Sequence, residues 1–209
     1  MKKKAVSSAK YNPIQRLNEV DNNVQIPSGI ELQILRIIQR DSVKKGEALL
    51  EINAVCDRIW FIESGLFRSY RKVKGREENT WFMKENDLMT DPKSFHTGAP
   101  SKHSILAMED SIVYSISRRQ IYDLCKKSHD FEHICHLLTW EYYTKFMDYW
   151  DELTSGTIKQ RYHRFQLLFP GLDGRKSVPI RHIASLLKCD VRSLHRIRKM
   201  SKKQSSGRL

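Results

Sequence analysis

The spacing of the hydrophobic residues changes twice along this chain, and the two changes limit the folds that are available to it. The segment from Ile30 to Arg40 predicts a short amphipathic helix, because its isoleucines recur at helical spacing. From Val43 to Ile116 the pattern becomes a series of short β-rich runs separated by turn residues, and after Ser117 the helical spacing returns. Such a series predicts a small antiparallel barrel or sandwich. The expected fold is therefore α+β, with an antiparallel β-barrel followed by helices.

The turn residues within this region place the individual strands. Lys74-Gly75-Arg76 is a hairpin signal, because glycine accepts the backbone angles of a tight turn. The predicted strands are Ala48–Ile52, Arg58–Ile62, Leu66–Val73, Asn79–Met83, Ile105–Ala107 and Ile112–Ile116. Residues 1–25, in contrast, are polar and rich in lysine, which predicts a flexible basic arm.

A long helix is predicted from about Asp130 to Leu153, and it carries more apolar surface than a single face requires. One stripe at helical spacing consists of Cys135, Leu138, Tyr142, Phe146, Tyr149 and Leu153. This stripe could lie on the chain's own barrel, or it could pair with its twin across a dimer axis. Trp140, Tyr143 and Trp150 add further apolar surface, which favours the dimer.

The segment from Ile180 to Met200 predicts two short helices that share one apolar seam. In this interpretation the second helix carries Leu194 and Ile197 inward, and Asp190 offers a carboxylate to the free N–H groups of that helix. The apolar face of the first helix consists of Ile180, Ile183, Leu186 and Leu187. A short first helix followed by a basic second helix is typical of a helix-turn-helix. The alternative is an ordinary helical hairpin whose basic side chains form a solvated face.

The distribution of charge favours the helix-turn-helix. The chain has a net charge of +13 and a pI of about 9.7. From Arg175 to Leu209 there are 11 Lys and Arg residues against one Asp, whereas residues 21–174 are nearly neutral. Charge that served only solubility would not be segregated in this way. A segregated positive field attracts a polyanion, so double-stranded DNA is the expected partner.

The second helix of the pair would supply the contacts to DNA. Its N-terminal part would point at base edges, with Arg192 and Arg196 suited to guanine, Ser193 to a base or a phosphate, and Val191 to a thymine methyl group. The remaining basic residues would meet phosphates. The complete predicted set is Lys188, Val191, Arg192, Ser193, Arg196, Arg198, Lys199, Lys202 and Lys203.

Other kinds of chemistry are not indicated by the sequence. The four cysteines show no CxxC spacing and predict reduced thiols in a cytoplasmic protein. Cysteines and histidines between residues 125 and 136 lack metal-site spacing, so no metal or other cofactor is expected. No signal peptide or membrane-spanning stretch is recognised, and no membrane partner is expected. No catalytic triad, carboxylate pair or phosphate-binding glycine loop is found, so the protein is not expected to be an enzyme.

These features together resemble the Crp/Fnr superfamily of transcription regulators. The resemblance covers nearly the whole chain after residue 30 and depends on the motifs KKGEALLE, DRIWFIESGLFRSY, ENDLM, LAMEDSIVYSISRRQI and IRHIASLLKCDVRSLHRIRKM. It implies a cyclic-nucleotide-binding-like barrel, a dimerisation helix and a C-terminal helix-turn-helix. It also implies a homodimer whose two recognition helices enter successive major grooves of a near-palindromic operator.

The sequence departs from this family where the resemblance would place an effector phosphate. The family's cassette has a Gly-Glu pair and, further on, an Arg followed by a small hydroxyl residue; here Thr90-Asp91 and Ser101-Lys102 occupy these positions. Ser101 cannot grip a phosphate as arginine does, and Pro92 removes an N–H from the cradle. Cyclic AMP is therefore not expected to bind unless Lys102 turns inward.

Two further departures concern other parts of the family pattern. Residues 1–25 contain no cysteine, so the iron–sulfur cluster of some relatives is not expected. Lys188 stands in the turn of the helix pair where glycine is usual, and a left-handed conformation there would cost lysine roughly 1 kcal/mol.

The sequence as a whole predicts a regulator with four parts. These are a basic arm (1–25), a β-barrel effector-like domain (26–126), a dimerisation helix (127–154) and a DNA-binding domain (155–209). The expected function is sequence-specific transcription regulation, with RNA polymerase as a candidate partner and the small-molecule effector unknown. The alternative is a ligand-sensing or protein-interaction module whose basic C-terminus binds nucleic acid without sequence preference.

Overall fold

Two four-stranded antiparallel sheets form the first half of the computed structural model, which describes residues 13–19 and 25–206. The strands β1 to β8 are Gln39–Val43, Ala48–Leu50, Arg58–Ser64, Leu66–Val73, Arg76–Lys84, Leu88–Met89, His103–Ala107 and Ser111–Ser117. One sheet has the order β1-β8-β3-β6 and the other the order β2-β7-β4-β5. Side chains of both sheets, including Ile62 and Phe67, share a buried cluster. The sheets therefore pack face to face, and residues 39–117 are called the β-domain below.

Helices precede, interrupt and follow the β-domain. Helices α1 to α8 are Pro13–Asn18, Ser28–Ile37, Pro92–Thr97, Arg118–Cys125, His129–Thr154, Ile158–Leu168, Ile180–Leu186 and Val191–Ser206. A short 3-10 helix, Leu172–Gly174, connects α6 to α7. No helix among the described residues is long and apolar enough to cross a membrane.

Local sequence signals explain most of these boundaries. The side chains of Ser117, Ser128 and Thr157 accept hydrogen bonds from the first turns of α4, α5 and α6. Lys74 and Gly75 both have positive φ angles, as a two-residue hairpin between β4 and β5 requires. The predicted α+β class and the hairpin are confirmed.

Some elements differ from the sequence prediction. Helix α2 ends at Ile37 rather than at residue 40, because Gln39–Val43 pairs with β8 as an edge strand. Part of the segment predicted as a flexible arm, residues 13–18, is the helix α1, whose Ile14 and Leu17 are buried. The rest of that arm up to residue 24 lies outside the described residues apart from Glu19.

Helix α5 lies on the β-domain with the stripe that the sequence also offered for a dimer. Leu138 and Leu153 are buried, and the hydroxyl of Tyr142 accepts a hydrogen bond from the backbone N–H of Leu88 at 2.8 Å. The ring of Tyr149 lies 4.9 Å from that of Trp81 on β5, measured between centroids. This stripe therefore packs on the chain's own β-domain, which was the first of the two interpretations that the sequence offered.

The C-terminal helices share a hydrophobic core with the β-domain. Leu66 and Phe82 of the strands join a buried cluster with Phe165, Ile183 and Leu187. Polar contacts accompany this core, and they place α7 against β5. They include hydrogen bonds from Asn79, of 2.9 Å each, to the hydroxyl of Ser185 and the carbonyl of His182.

Candidate nucleic-acid interface

The turn between α7 and α8 has a tight and regular hydrogen-bond pattern. The N–H of Cys189 donates to the carbonyl of Ala184 at 3.0 Å, and the N–H of Lys188 donates to the carbonyl of Ser185 at 3.2 Å. These two bonds are those of a Schellman motif, which needs a left-handed residue. Lys188 supplies it with a φ of 48°. The left-handed conformation considered for Lys188 from the sequence is thus adopted, without the glycine that usually supplies it.

Helix α8 starts at a carboxylate cap. The side chain of Asp190 accepts a hydrogen bond from the N–H of Ser193 at 2.8 Å, and the contact with Ser193 keeps the pKa of Asp190 below its usual value. The seam beneath the turn is closed by Ile183, Leu187 and Leu194, which are fully buried. The pair α7–α8 is therefore held by a shared apolar seam and a capped turn, as the sequence indicated.

The outward face of α8 is basic. Arg192, Arg196 and Lys199 are exposed. They lie on one face of the helix, because they are spaced four and three residues apart. His195 is exposed on the same face. It was not among the residues predicted from the sequence, although its spacing of three residues from Arg192 was the available signal. Val191 is 37% exposed at the start of the helix.

The other predicted contacts on α8 differ in position. Ser193 is half-buried, and its N–H is used by the cap. The side chains of Lys202 and Lys203 lie outside the described residues.

Arg198 does not belong to the outward face, which corrects its predicted role as a phosphate contact. Its guanidinium forms an ion pair with the carboxylate of Asp173 at 2.9 Å and also donates to the backbone carbonyl of Asp173 at 2.7 Å. The hydroxyl of Tyr162 donates to the same carboxylate at 2.7 Å. Arg198 therefore joins α8 to the connection between α6 and α7. Its positive charge is paired with the carboxylate of Asp173 and is not directed at a phosphate.

Lys188 is exposed but is not isolated from the rest of the protein. Its ammonium lies 4.4 Å from the centroid of the Trp150 ring on α5, which is a cation–π contact. This contact joins the turn before α8 to the long helix. No signal in the sequence indicated it, because the whole of α6 and α7 lies between the two residues.

Two of the four residues predicted to form an effector pocket, Asp91 and Ser101, bind each other. Asp91 is buried, and it caps α3 by accepting from the N–H of Ser94. The hydroxyl of Ser101 donates to the other carboxylate oxygen at 2.5 Å, and His103 lies 3.4 Å from that oxygen. The contact with His103, followed by those with Ser101 and Ser94, holds the pKa of Asp91 well below its usual range despite burial. An ionised carboxylate thus occupies the donors that a phosphate would need.

The remaining two pocket residues do not compensate for this arrangement. The hydroxyl of Thr90 donates inward to the backbone carbonyl of Arg58 at 3.1 Å. Lys102 is exposed. Pro92 is tolerated because it begins α3, where the first N–H has no helical partner. A cyclic phosphate fits poorly here, since the hydroxyl of Ser101 is already bound to Asp91 and the side chain of Lys102 is exposed.

Several cysteines and histidines lie near the start of α5. Within the described residues, no group of three or more His, Cys, Asp or Glu side chains could hold a metal ion. His136 instead pairs with Trp140, whose indole N–H lies 2.7 Å from the imidazole nitrogen.

Comparison with known proteins supports the similarity deduced from the sequence. Residues 40–128 match the family model described as "Cyclic nucleotide-binding domain". A search of curated proteins gives no match.

Among solved structures, FixK2 from Bradyrhizobium japonicum has a TM-score of 0.68 and 17% identity, with 81% of this chain and 86% of that chain covered. A protein from Eubacterium rectale, assigned to the crp/fnr family of transcriptional regulators, has a TM-score of 0.67 and 17% identity, with 86% and 85% covered. CLP from Xanthomonas campestris, a c-di-GMP-responsive global regulator, has a TM-score of 0.62 and 13% identity, with 87% and 93% covered. At these identities, the likeness is one of fold.

Proposed function

We propose that this chain, which has the fold of the Crp/Fnr superfamily of transcription regulators, is a sequence-specific DNA-binding regulator that acts as a homodimer. In this proposal α7 and α8 form a helix-turn-helix within residues 155–209. Residues 127–154 carry the dimer contact, and the β-domain has lost the use of its cyclic nucleotide pocket.

The observation that carries the proposal is the exposed basic face at the start of α8. Arg192 and Arg196 are exposed within the first two turns, while the opposite side of the helix is buried through Leu194 and Ile197. A helix held in this way presents its N-terminal part to the major groove. Arginine can donate two hydrogen bonds to guanine O6 and N7, which distinguishes guanine from the other bases.

The dimer contact is assigned to the second apolar stripe of α5, which the β-domain leaves exposed. Trp140 is 55% exposed and Tyr143 is 54% exposed, and Met147 and Trp150 continue the same side at spacings of three and four residues. Large aromatic side chains grouped on an exposed surface indicate a protein interface. A parallel twin helix is the partner that fits, because the spacing is that of a coiled-coil seam.

Selection of DNA sites by the purified full chain tests the proposal. The protein is mixed with random duplexes at moderate salt, and bound duplexes are sequenced over several rounds. The proposal expects a ranked set of related sequences with two half-sites about 10 base pairs apart, as two recognition helices on a two-fold dimer require. A module that binds DNA only through charge would return no motif, and its affinity would fall uniformly with salt.

The state of the effector pocket is tested separately by calorimetry. Cyclic AMP and cyclic GMP are expected to produce no binding heat, because Ser101 stands where the family's cassette has an arginine and its hydroxyl is already bound to Asp91. A micromolar site that disappears in Lys102→Ala would contradict this and would make Lys102 the phosphate ligand.

A further inference from the structure

A cavity of about 220 Å³ lies where the β-domain meets the connection between α6 and α7. One wall comes from Leu66 on β4 and from Phe82 and Lys84 on β5. The other wall comes from the segment after α6, with Phe169, Leu172 and Arg175. The cavity is therefore bounded by two parts of the chain that are far apart in sequence, and its lining includes neither Asp91 nor Ser101.

The walls of this cavity are mostly apolar and buried. Leu66 and Phe82 are almost completely buried, and Phe169 and Leu172 are 6% and 4% exposed. The rings of Phe82 and Phe169 pack edge to face with their centroids 6.1 Å apart. A cavity of about 150 Å³ lined by such side chains can hold benzene, so this one has room for a single ring with a small substituent.

Two cationic side chains, Arg175 and Lys84, line the cavity, and they differ in whether they form ion pairs. Arg175 forms ion pairs with Glu85, at 3.0 Å, and with Glu109. Glu85 also accepts from the N–H of Gly65 at 3.1 Å, so this network is already satisfied. Lys84, in contrast, takes part in no ion pair within the described part of the chain, and its side chain is half-buried. An unmatched, partly buried ammonium beside apolar walls favours an anion that carries an apolar group.

We propose that this cavity is a binding site for a small amphipathic carboxylate. Its ring or short chain lies between Leu66, Phe82 and Leu172, and its carboxylate pairs with the ammonium of Lys84. The site is independent of the proposed DNA binding and differs from the cassette around Asp91. Since its walls come from both the β-domain and the connection into α7, an occupant would hold these two parts together.

Calorimetry on the full chain without DNA tests the site, with benzoate, phenylacetate and hexanoate as probes. At least one of these carboxylates is expected to bind with one site per chain. Benzamide has the shape of benzoate without its charge and should bind about tenfold more weakly than benzoate or not at all, because a charge-assisted hydrogen bond is lost. The absence of binding by all three carboxylates at millimolar concentration would overturn the proposal.

Matched variants identify the residue that binds the carboxylate. Lys84→Met keeps the length of the side chain but removes the charge, so carboxylate affinity should fall about tenfold. Lys72→Met, on the exposed part of β4, is the control and should leave the affinity unchanged. Equal affinities of the wild type and Lys84→Met would refute the assignment.

A second substitution tests the location by filling the cavity. Leu172→Phe places a ring where the probe would lie, so it should abolish binding while Lys84 remains. Retained binding in a folded Leu172→Phe protein would show that the probe lies elsewhere. Because no DNA is present in these assays, their result is separate from the outcome of the DNA-site selection.

Discussion

Replacement of Trp140 by alanine is expected to dissociate the proposed dimer without unfolding the protein. Trp140 is 55% exposed in the single chain. Because burial of a tryptophan removes about 150–250 Å² from water, the half that is still exposed amounts to about 100 Å². At about 25 cal/mol per Å², burial of this area in a dimer stabilises it by about 2.5 kcal/mol for each protomer.

A symmetric dimer contains two copies of the contact, so the combined loss is up to about 5 kcal/mol. This corresponds to an increase of about three to four powers of ten in the dimer dissociation constant. Sedimentation equilibrium over a range of concentrations measures this constant directly. The fold of the single protomer should be kept, because the substituted surface is exposed there, whereas the melting temperature should lose the contribution of dimerisation.

Two control variants separate the dimer contact from the packing of α5. Leu167→Ala removes a side chain that is 67% exposed on α6 and should leave the dimer unchanged. Leu138→Ala removes a buried side chain and should lower the free energy of unfolding by about 2–5 kcal/mol. If Trp140→Ala has the same dimer constant as Leu167→Ala, the exposed stripe of α5 is not the dimer contact.

Three further results are expected from single contacts. Arg198→Met should lower the free energy of unfolding by about 2 kcal/mol in urea titrations, because the carboxylate of Asp173 loses its partner. Tyr142→Phe should cost about 1–2 kcal/mol in the same assay, because the N–H of Leu88 loses its acceptor. Burial, followed by neighbouring arginines, lowers the pKa of His182 to about 4, so the unfolded chain binds more protons than the folded one between pH 4 and 6.5. The free energy of unfolding should therefore fall as the pH is lowered through this window, and it should fall less in His182→Gln.

Elements with a strong local signal were predictable from the sequence. The strand Leu66–Val73 has the bounds expected from its pattern, and the turn Lys74-Gly75 is where the glycine placed it. The cap by Asp190 was also predictable, since it depends only on residues within one helical turn.

Elements that depend on distant partners were not predictable in the same way. The strand β1, Gln39–Val43, is exposed over its first four residues and has no apolar alternation, so only its pairing with β8 identifies it. Helix α5 has two apolar stripes, and the choice of which one faces the β-domain depends on the position of Trp81 and Leu88.

The candidate site shows the same division between local and tertiary information. The exposure of Arg192 and Arg196 follows from helical spacing around Leu194. Arg198 looked like another phosphate contact because its partner, Asp173, lies 25 residues away along the chain. The departure from the family's phosphate cassette was visible at Ser101, but the bond from Ser101 to Asp91 required the structure.

The central claim, base-specific readout by α8, is tested most directly by the affinity of Arg196→Ala for a selected operator and its single-base-pair variants. Arg119→Ala is the matched control, because its side chain is 93% exposed on α4. Arg196→Ala is predicted to lose about 1–3 kcal/mol on the operator and to lose its base preference at one position in each half-site, whereas Arg119→Ala should behave as the wild type. An equal loss of affinity by Arg196→Ala for every sequence, with the base preferences intact, would contradict the claim.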